Sequence, residues 1–271
     1  MQVPHRPPRR PRAWLPALAL SQLAVALAWW RWGWQPGLAL MLLSHLPFWW
    51  GVLAPGSALY GPVLRRLPTR EPAVWLTIDD GPSDDTPAIL DLLDAHGARA
   101  TFFLVGDRAR ARPELVREIA RRGHGIGNHS RSHPQAWFWA LGPRRMRGEI
   151  EGCQRQLQDI AGAAPRWFRA VVGHANPFVS APLRDAGLAR VAWSARGFDA
   201  VDGDVERVLA KIGQGLSPGA IVLLHEGAGH GRSIDIIAGV LRRLEAAGLH
   251  AVVPDPVQAP SAATSKGIAC G

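Results

Sequence analysis

Val74-Trp75-Leu76-Thr77-Ile78-Asp79-Asp80-Gly81-Pro82 is the stretch on which the fold turns. Five uncharged residues rich in β-formers stop at two adjacent carboxylates and a Gly-Pro pair, which reads as a buried strand ending in a turn. Just downstream, Thr86-Pro87 marks a helix start, with a polar N-cap and a proline in the first turn, and Gly97 marks its end. The unit then repeats. Residues 100–105 read as a strand, 113–122 as a helix stopped by Gly123, and 125–128 as a short strand leading into His129. Over 144–161, Met146, Ile150, Cys153, Leu157 and Ile160 recur at helical spacing and form one apolar stripe, so Cys153 is read as core. Further strands are expected at 167–168, 188–193, 220–224 and 249–253. This alternation predicts an α/β fold around a parallel sheet, open or closed into a barrel.

The chain has 271 residues, 47% hydrophobic and 20% charged, which excludes a disordered protein and allows a sizeable core. Its formal net charge of +9 would suit nucleic acid, but the excess is not spread over the chain. Residues 1–70 carry eight arginines and no acid, so the other 201 residues hold 23 basic and 22 acidic side chains. A nucleic-acid partner is therefore not expected. Cys153 and Cys270 lack metal-ligand or redox spacing, which rules out a disulfide framework.

The first seventy residues read as a membrane segment. Trp14 to Trp30 and Pro36 to Pro55 are two uncharged runs, each near the lower limit for spanning a ~30 Å hydrocarbon layer. Seven of the twelve tryptophans cluster near the ends of these runs, the depth that amphipathic indoles favour. A transmembrane helical hairpin, about 14–30 and 36–55, is the expectation. A cleaved signal peptide ending near Ala26-Leu27-Ala28 is the alternative, disfavoured by the second apolar run. The arginines fall four before the hairpin, one within it and three after, an arrangement that favours a cytoplasmic rather than a periplasmic catalytic domain at the cell membrane. The expected layout is thus a membrane segment over 1–70, a catalytic domain over 71–254 and a disordered polar tail over 255–271.

In parallel α/β folds the chemistry sits beyond the carboxyl ends of the strands. Polar residues at those positions are Asp79 and Asp80, His129 and His133, Arg169, and His225-Glu226, with Asp199 a few residues beyond the 188–193 strand. Two imidazoles and a carboxylate make a three-ligand site for a divalent metal such as Zn²⁺. His129 and His133, four apart, face one metal if their segment turns helically. One aspartate of the pair can bind metal while its neighbour accepts a proton, His225 suits a general acid, and a buried Arg169 would keep the base ionised. Taken singly, each element has a bland counterpart, since Asp-Asp-Gly-Pro is commonly a turn and paired histidines a solvated helix face. Their joint placement at strand ends points to one site. His174 and His230 lie near its loops.

In order, Thr77 to Pro82, His129 to Pro134, Arg169 to Gly173, Phe198-Asp199 and Leu223 to Glu226 resemble the five motifs of the polysaccharide deacetylases, the NodB-homology carbohydrate esterases of family 4. The resemblance spans about residues 72–254. It implies a distorted (β/α) barrel of seven or eight strands and a metal-dependent hydrolase that removes an N-acyl group, acetyl or formyl, from an amino sugar in a glycan or lipid-linked saccharide. On this chain it implies Asp79 as general base, His225 as general acid, Arg169 and Asp199 as their partners, and Asp80, His129 and His133 as ligands. The cofactor implied is one divalent metal, Zn foremost, with Co, Mn or Ni as alternatives. The partner implied is an N-acylated sugar polymer or a lipid-linked sugar. A membrane-anchored, non-catalytic carbohydrate-binding or scaffold protein is the competing expectation. Two motifs depart from the family pattern: Ala170-Val171-Val172 replaces the usual Pro-Pro-Tyr, and Ala200 stands where a Trp usually follows the aspartate. The metal chemistry is untouched, while the sugar-stacking wall is altered.

Overall fold

The computed structural model describes residues 1–258; Cys270 and the rest of the expected tail lie outside the described residues. The strands are β1 (Gln2–His5), β2 (Val63–Leu64), β3 (Ala73–Gly81), β4 (Ala100–Leu104), β5 (Gly125–Asn128), β6 (Trp167–Phe168), β7 (Ala189–Val191), β8 (Ala195–Arg196), β9 (Ile221–His225), β10 (His250–Ala251) and β11 (Asp255–Gln258). The helices are α1 (Trp14–Trp32), α2 (Trp34–Leu53), α3 (Thr86–Ala95), α4 (Gly106–Ala111), α5 (Pro113–Arg121), α6 (Pro143–Ala161), α7 (Ser180–Asp185), α8 (Val205–Gly215) and α9 (Ser233–Ala246).

Eight parallel strands follow the order β2-β7-β6-β5-β4-β3-β9-β8 and curl into a half-barrel, with β10 paired to the first two residues of β3. β3 is central, and its alternation explains why both of its faces are buried. Val74, Leu76 and Ile78 point outward into a core shared with Ile89, Val116, Leu157 and Ile237 of the covering helices. Each such aliphatic side chain contributes roughly 1.5–3 kcal/mol by leaving water. Trp75, Thr77 and Asp79 point into the barrel. Trp75 joins Phe103, Trp167 and Ile221 in an inner cluster, and its indole donates to Thr101 Oγ1 at 2.8 Å.

The segment expected to begin a disordered tail at 255 instead opens with β11, which pairs in parallel with β1. Pro254 and Pro256 suggest a broken chain, but a partner from the far end of the sequence overrides them. β1 also brings Val3 into the inner cluster and stacks His5 edge-on against Trp167 at 5.3 Å, so the arginine-rich start is anchored to the barrel.

The hairpin is present as α1 and α2. Of the two, α2 is long and apolar enough to cross a membrane, with a mean hydropathy of 1.3; α1 does not reach that measure. Within α1, Gln22 donates across the hairpin to Ser44 at 3.3 Å. The open end of the hairpin docks on the barrel: Tyr60 donates to the Phe48 carbonyl at 3.0 Å, Ala175 N–H to that of Val52 at 3.1 Å, and Trp49 lies 5.7 Å from Trp139.

Candidate active site

Sheet register brings the polar strand ends level. Asp79 is the register partner of both Phe103 and His225, Leu104 pairs with Asn128, and Asn128 with Phe168, the residue before Arg169. Asp79, Asp80, His129, Arg169 and His225 are thereby delivered to one rim, and the loop after β8 returns Asp199 to it.

Arg169 is fully buried under this rim. Its Nη1 donates to Asp79 Oδ1 and Thr77 Oγ1, both at 2.7 Å, its Nη2 donates to the Ala192 carbonyl at 3.1 Å, and its plane covers the Phe103 ring at 4.2 Å. Burial pulls the guanidinium below its ordinary value while Asp79 opposes the fall. The pair fixes one carboxylate oxygen of Asp79 and leaves Oδ2 facing His129 Nε2 at 3.7 Å.

Asp80 sits beside it with φ 73°. Its Oδ1 lies 3.0 Å from His133 Nε2 and 3.4 Å from His129 Nε2, without an aligned hydrogen bond to either. Burial works against the Asp80 carboxylate, but the two imidazoles outweigh it and hold the group well below the usual carboxylate range. His129 Nδ1 is bonded to the Arg169 carbonyl at 2.9 Å; donation there sets the tautomer in which Nε2 carries the lone pair. Three ligand atoms thus converge within 4.8 Å of one another, a donor set that fits a divalent cation.

The histidine pair meets without the helical turn on which its four-residue spacing would have faced one metal. Residues 129–134 form an irregular loop in which Ser130 and His133 adopt φ 68° and 53°, bringing the two rings to a 5.0 Å centroid separation. The loop is tied down from beneath. Asn128 Oδ1 accepts from Ser130 N–H at 3.0 Å, and Glu149 of α6 accepts from Ser132 N–H and Oγ at 2.8 and 2.7 Å. Among the described residues, those other than glycine with positive φ are Asp80, Ser130, His133, Val172 and Phe198, and all five belong to the segments that carry the five motifs of the site. Left-handed backbone of this kind stores roughly 1–3 kcal/mol per residue and concentrates where function demands it.

On the other side, His225 Nδ1 lies 3.1 Å from Asp199 Oδ1, and the His225 backbone N–H donates to Asp199 Oδ2 at 2.6 Å. Burial lowers the imidazole pKa, but the charge and hydrogen bond of Asp199 prevail and raise it to about 9. His230 bonds the Asp199 carbonyl at 2.6 Å, whereas His174 keeps a buried Nδ1 without a partner.

Against this geometry the comparisons are unambiguous. The sequence profile of the polysaccharide deacetylases matches residues 66–191. A chitooligosaccharide deacetylase of Bradyrhizobium is 37% identical over 157 residues, covering 57% of this chain and 71% of the relative. The chain belongs to the polysaccharide deacetylase family. A peptidoglycan-N-acetylglucosamine deacetylase of Bacillus cereus is 32% identical over 199 residues, 69% of this chain and 89% of that one. Among solved family structures, a peptidoglycan N-acetylglucosamine deacetylase superposes with a TM-score of 0.63 at 31% identity, over 70% of this chain and 89% of its own. A mutant of a family pseudoenzyme with restored enzymatic activity gives a TM-score of 0.63 at 25% identity, over 70% and 68%. The half-barrel described above is therefore the family's deacetylase domain. The profile match ends before Asp199 and His225.

Two positioning residues were not assigned from sequence. Glu149 interrupts an apolar stripe and reads as an ordinary helix acid, yet it is buried beneath the histidine loop. Glu226 is buried behind the aspartate turn, accepting from Thr86 and from Ser83 Oγ at 2.7 Å, and a Cβ at Gly81 would collide with it. The only sequence signals were an acid inside a helical stripe and a carboxylate directly after a strand-end histidine.

Proposed function

We propose that the domain hydrolyses the N-acetyl group of an amino sugar in a glycan or lipid-linked saccharide, releasing acetate and the free amine. The observation that carries this reading is the convergence of Asp80 Oδ1 with His129 and His133 Nε2 beside a carboxylate and an imidazole that are each separately partnered. Asp80, His129 and His133 would hold one divalent ion, Zn²⁺ first, with Co, Mn or Ni also suited to the donors. When bound, such an ion acidifies a water and polarises the acyl carbonyl. Asp79, oriented by Arg169, accepts the proton of the attacking water. His225 delivers a proton to the departing nitrogen, and Asp199 keeps its ring oriented and charged for that step. The N-acetyl specificity follows the named activities of the relatives.

The hairpin favours a membrane-proximal substrate. Pro55, just past α2, closes on Gly173 of the third motif, and Trp49 packs on Trp139 just beyond the histidine loop, so the apolar segment abuts the walls of the site. The arginine distribution favours the cytoplasmic side, and a lipid-linked saccharide rather than an exported polymer would be the substrate accessible there.

The test is acetate release by the full chain from N-acetylated chitooligosaccharide, from peptidoglycan and from a lipid-linked N-acetylated sugar, with metal content measured on the same preparation. No release from any of them, with metal bound, would refute the enzymatic reading. Reporter fusions after residue 70 decide the side of the membrane, and activity of a periplasmic reporter alone would reverse the topology.

A further inference from the structure

The arginine-rich N-terminal arm is folded around a cavity remote from the metal ligands. A recess of about 1530 Å³ lies between the N-terminal arm and the barrel, walled on one side by residues 6–11 and 13 and on the other by 58–62, 164–166 and α7. It meets β6 at its amino end, at Arg166, whereas the catalytic rim begins at the carboxyl end with Arg169. The arm is held in place rather than trailing. The His5 ring bonds the Arg166 carbonyl at 2.9 Å, and Pro8 comes so close to Gly61, at φ 115°, that a Cβ there would press on it.

Five arginines line the recess, Arg6, Arg9, Arg10, Arg166 and Arg184, and no acidic residue does. Arg184 is paired with Asp185, but among the described residues the other four take part in no ion pair. A sixth guanidinium, Arg190, is buried directly behind the 57–61 loop. It donates to the Ser57 carbonyl and to that of Gly61 at 3.1 Å, has no carboxylate partner, and is drawn down to about 10 by burial. On the cavity wall the Trp14 indole N–H is buried without an acceptor. Guanidinium forks and an indole N–H are donors only, so the site asks for an oxygen-rich anion.

The surroundings say which kind. Trp14 is the first residue of α1, and Leu59 and Tyr60 follow the end of α2, so the recess opens where the apolar hairpin meets the barrel. Pro7, Pro11 and Leu59 supply an apolar side. We propose that this cavity is a phosphate-binding site, its arginines clamping the phosphate of an anionic lipid headgroup at the base of the hairpin. It is independent of the deacetylation chemistry.

The test uses the full chain in a neutral detergent, titrated calorimetrically with a short-chain phosphatidylglycerol, with the matching phosphatidylcholine and with inorganic pyrophosphate. The Arg9→Gln/Arg166→Gln protein should bind at least tenfold more weakly. The Arg9→Lys/Arg166→Lys protein, which keeps charge but loses the fork, should fall between it and the native chain. Arg232→Gln, a charge loss on α9's flank away from the cavity, should change nothing, and unaltered deacetylase activity and thermal melting in all variants confirm folding. Tighter binding of phosphatidylglycerol than pyrophosphate identifies a membrane headgroup as the source, and the reverse order identifies a soluble phosphate. Failure of both to bind, or binding weakened as much by Arg232→Gln as by the double substitution, overturns the site.

Discussion

Replacing Asp199 by Asn should move the alkaline limit of activity rather than abolish activity at every pH. In the native protein the His225 pKa rises from 6.5 to about 9, which at ~1.4 kcal/mol per pKa unit is about 3 kcal/mol in favour of the charged ring. That preference is held against desolvation by a carboxylate 3.1 Å away. Asparagine keeps the shape and an acceptor for Nδ1–H but removes the charge, leaving only the lesser pull of Asp79 and Asp80 against burial, so the ring's pKa falls back toward its ordinary 6.5. At pH 8 an acid with a pKa of about 9 is ~90% protonated, and one at 6.5 only ~3%, a ~30-fold difference in competent enzyme that shrinks to less than ~2-fold at pH 6. Because Asp80, His129 and His133 are untouched, any field from a bound cation acts on both proteins alike, and the displacement between the two profiles is the quantity read. The assay is kcat/KM for acetate release from pH 5.5 to 10. A uniform loss at all pH values, with the alkaline limb unmoved, would show that Asp199 does not set the charge of His225.

Asp79→Asn should lower turnover by ~10²–10⁴-fold while metal content stays at the native level, because the proton acceptor goes and the ligand set remains. His129→Ala and His133→Ala should each lose the ion on dialysis, and full occupancy in either contradicts the ligand assignment. Gly81→Ala forces a methyl group onto the buried Glu226 carboxylate, so a Tm several degrees lower and a displaced aspartate turn are expected; an unchanged Tm would mean the turn can yield. In metal-free protein the raised pKa of His225 stabilises the fold fully below about pH 6.5 and less as pH climbs through 9. Stability relative to His225→Gln should therefore decline across that window by up to about 3 kcal/mol.

The residues legible in sequence are those whose chemistry and secondary structure coincide. β3 is announced by an uncharged run, and its end by two carboxylates, so Asp79 and Asp80 are placed by the same observation that places the strand. Arg169 and His225 follow short apolar strands in the same way. What was not legible depends on distant partners. β1 and β11 have no hydrophobic alternation and exist because each finds the other across the chain. β2 and β8, two residues each, are too short to show a period. The histidine loop shows the limit most clearly: four-residue spacing suggested a helix face, whereas the pair meets through left-handed backbone at Ser130 and His133, braced by Glu149. Local pattern carries no record of a brace arriving from α6.

Fold likeness alone does not establish catalysis, since the solved relatives include a variant of a pseudoenzyme. Chemistry in this chain is favoured by what the barrel holds buried. Arg169 with Asp79 and Asp199 with His225 place two ion pairs where apolar side chains of similar volume would be neutral or more stabilising, because desolvating both partners offsets much of their attraction. A scaffold has no use for them, nor for left-handed backbone at Asp80 and His133. The proposed hydrolysis uses both pairs, one to aim a proton acceptor and one to hold a proton donor charged. The two sit on neighbouring strands in register, Asp79 opposite His225, with the candidate ligands Asp80 and His129 at the same rim. Binding a sugar does not require an acid and a base at that spacing, and cleaving its amide does.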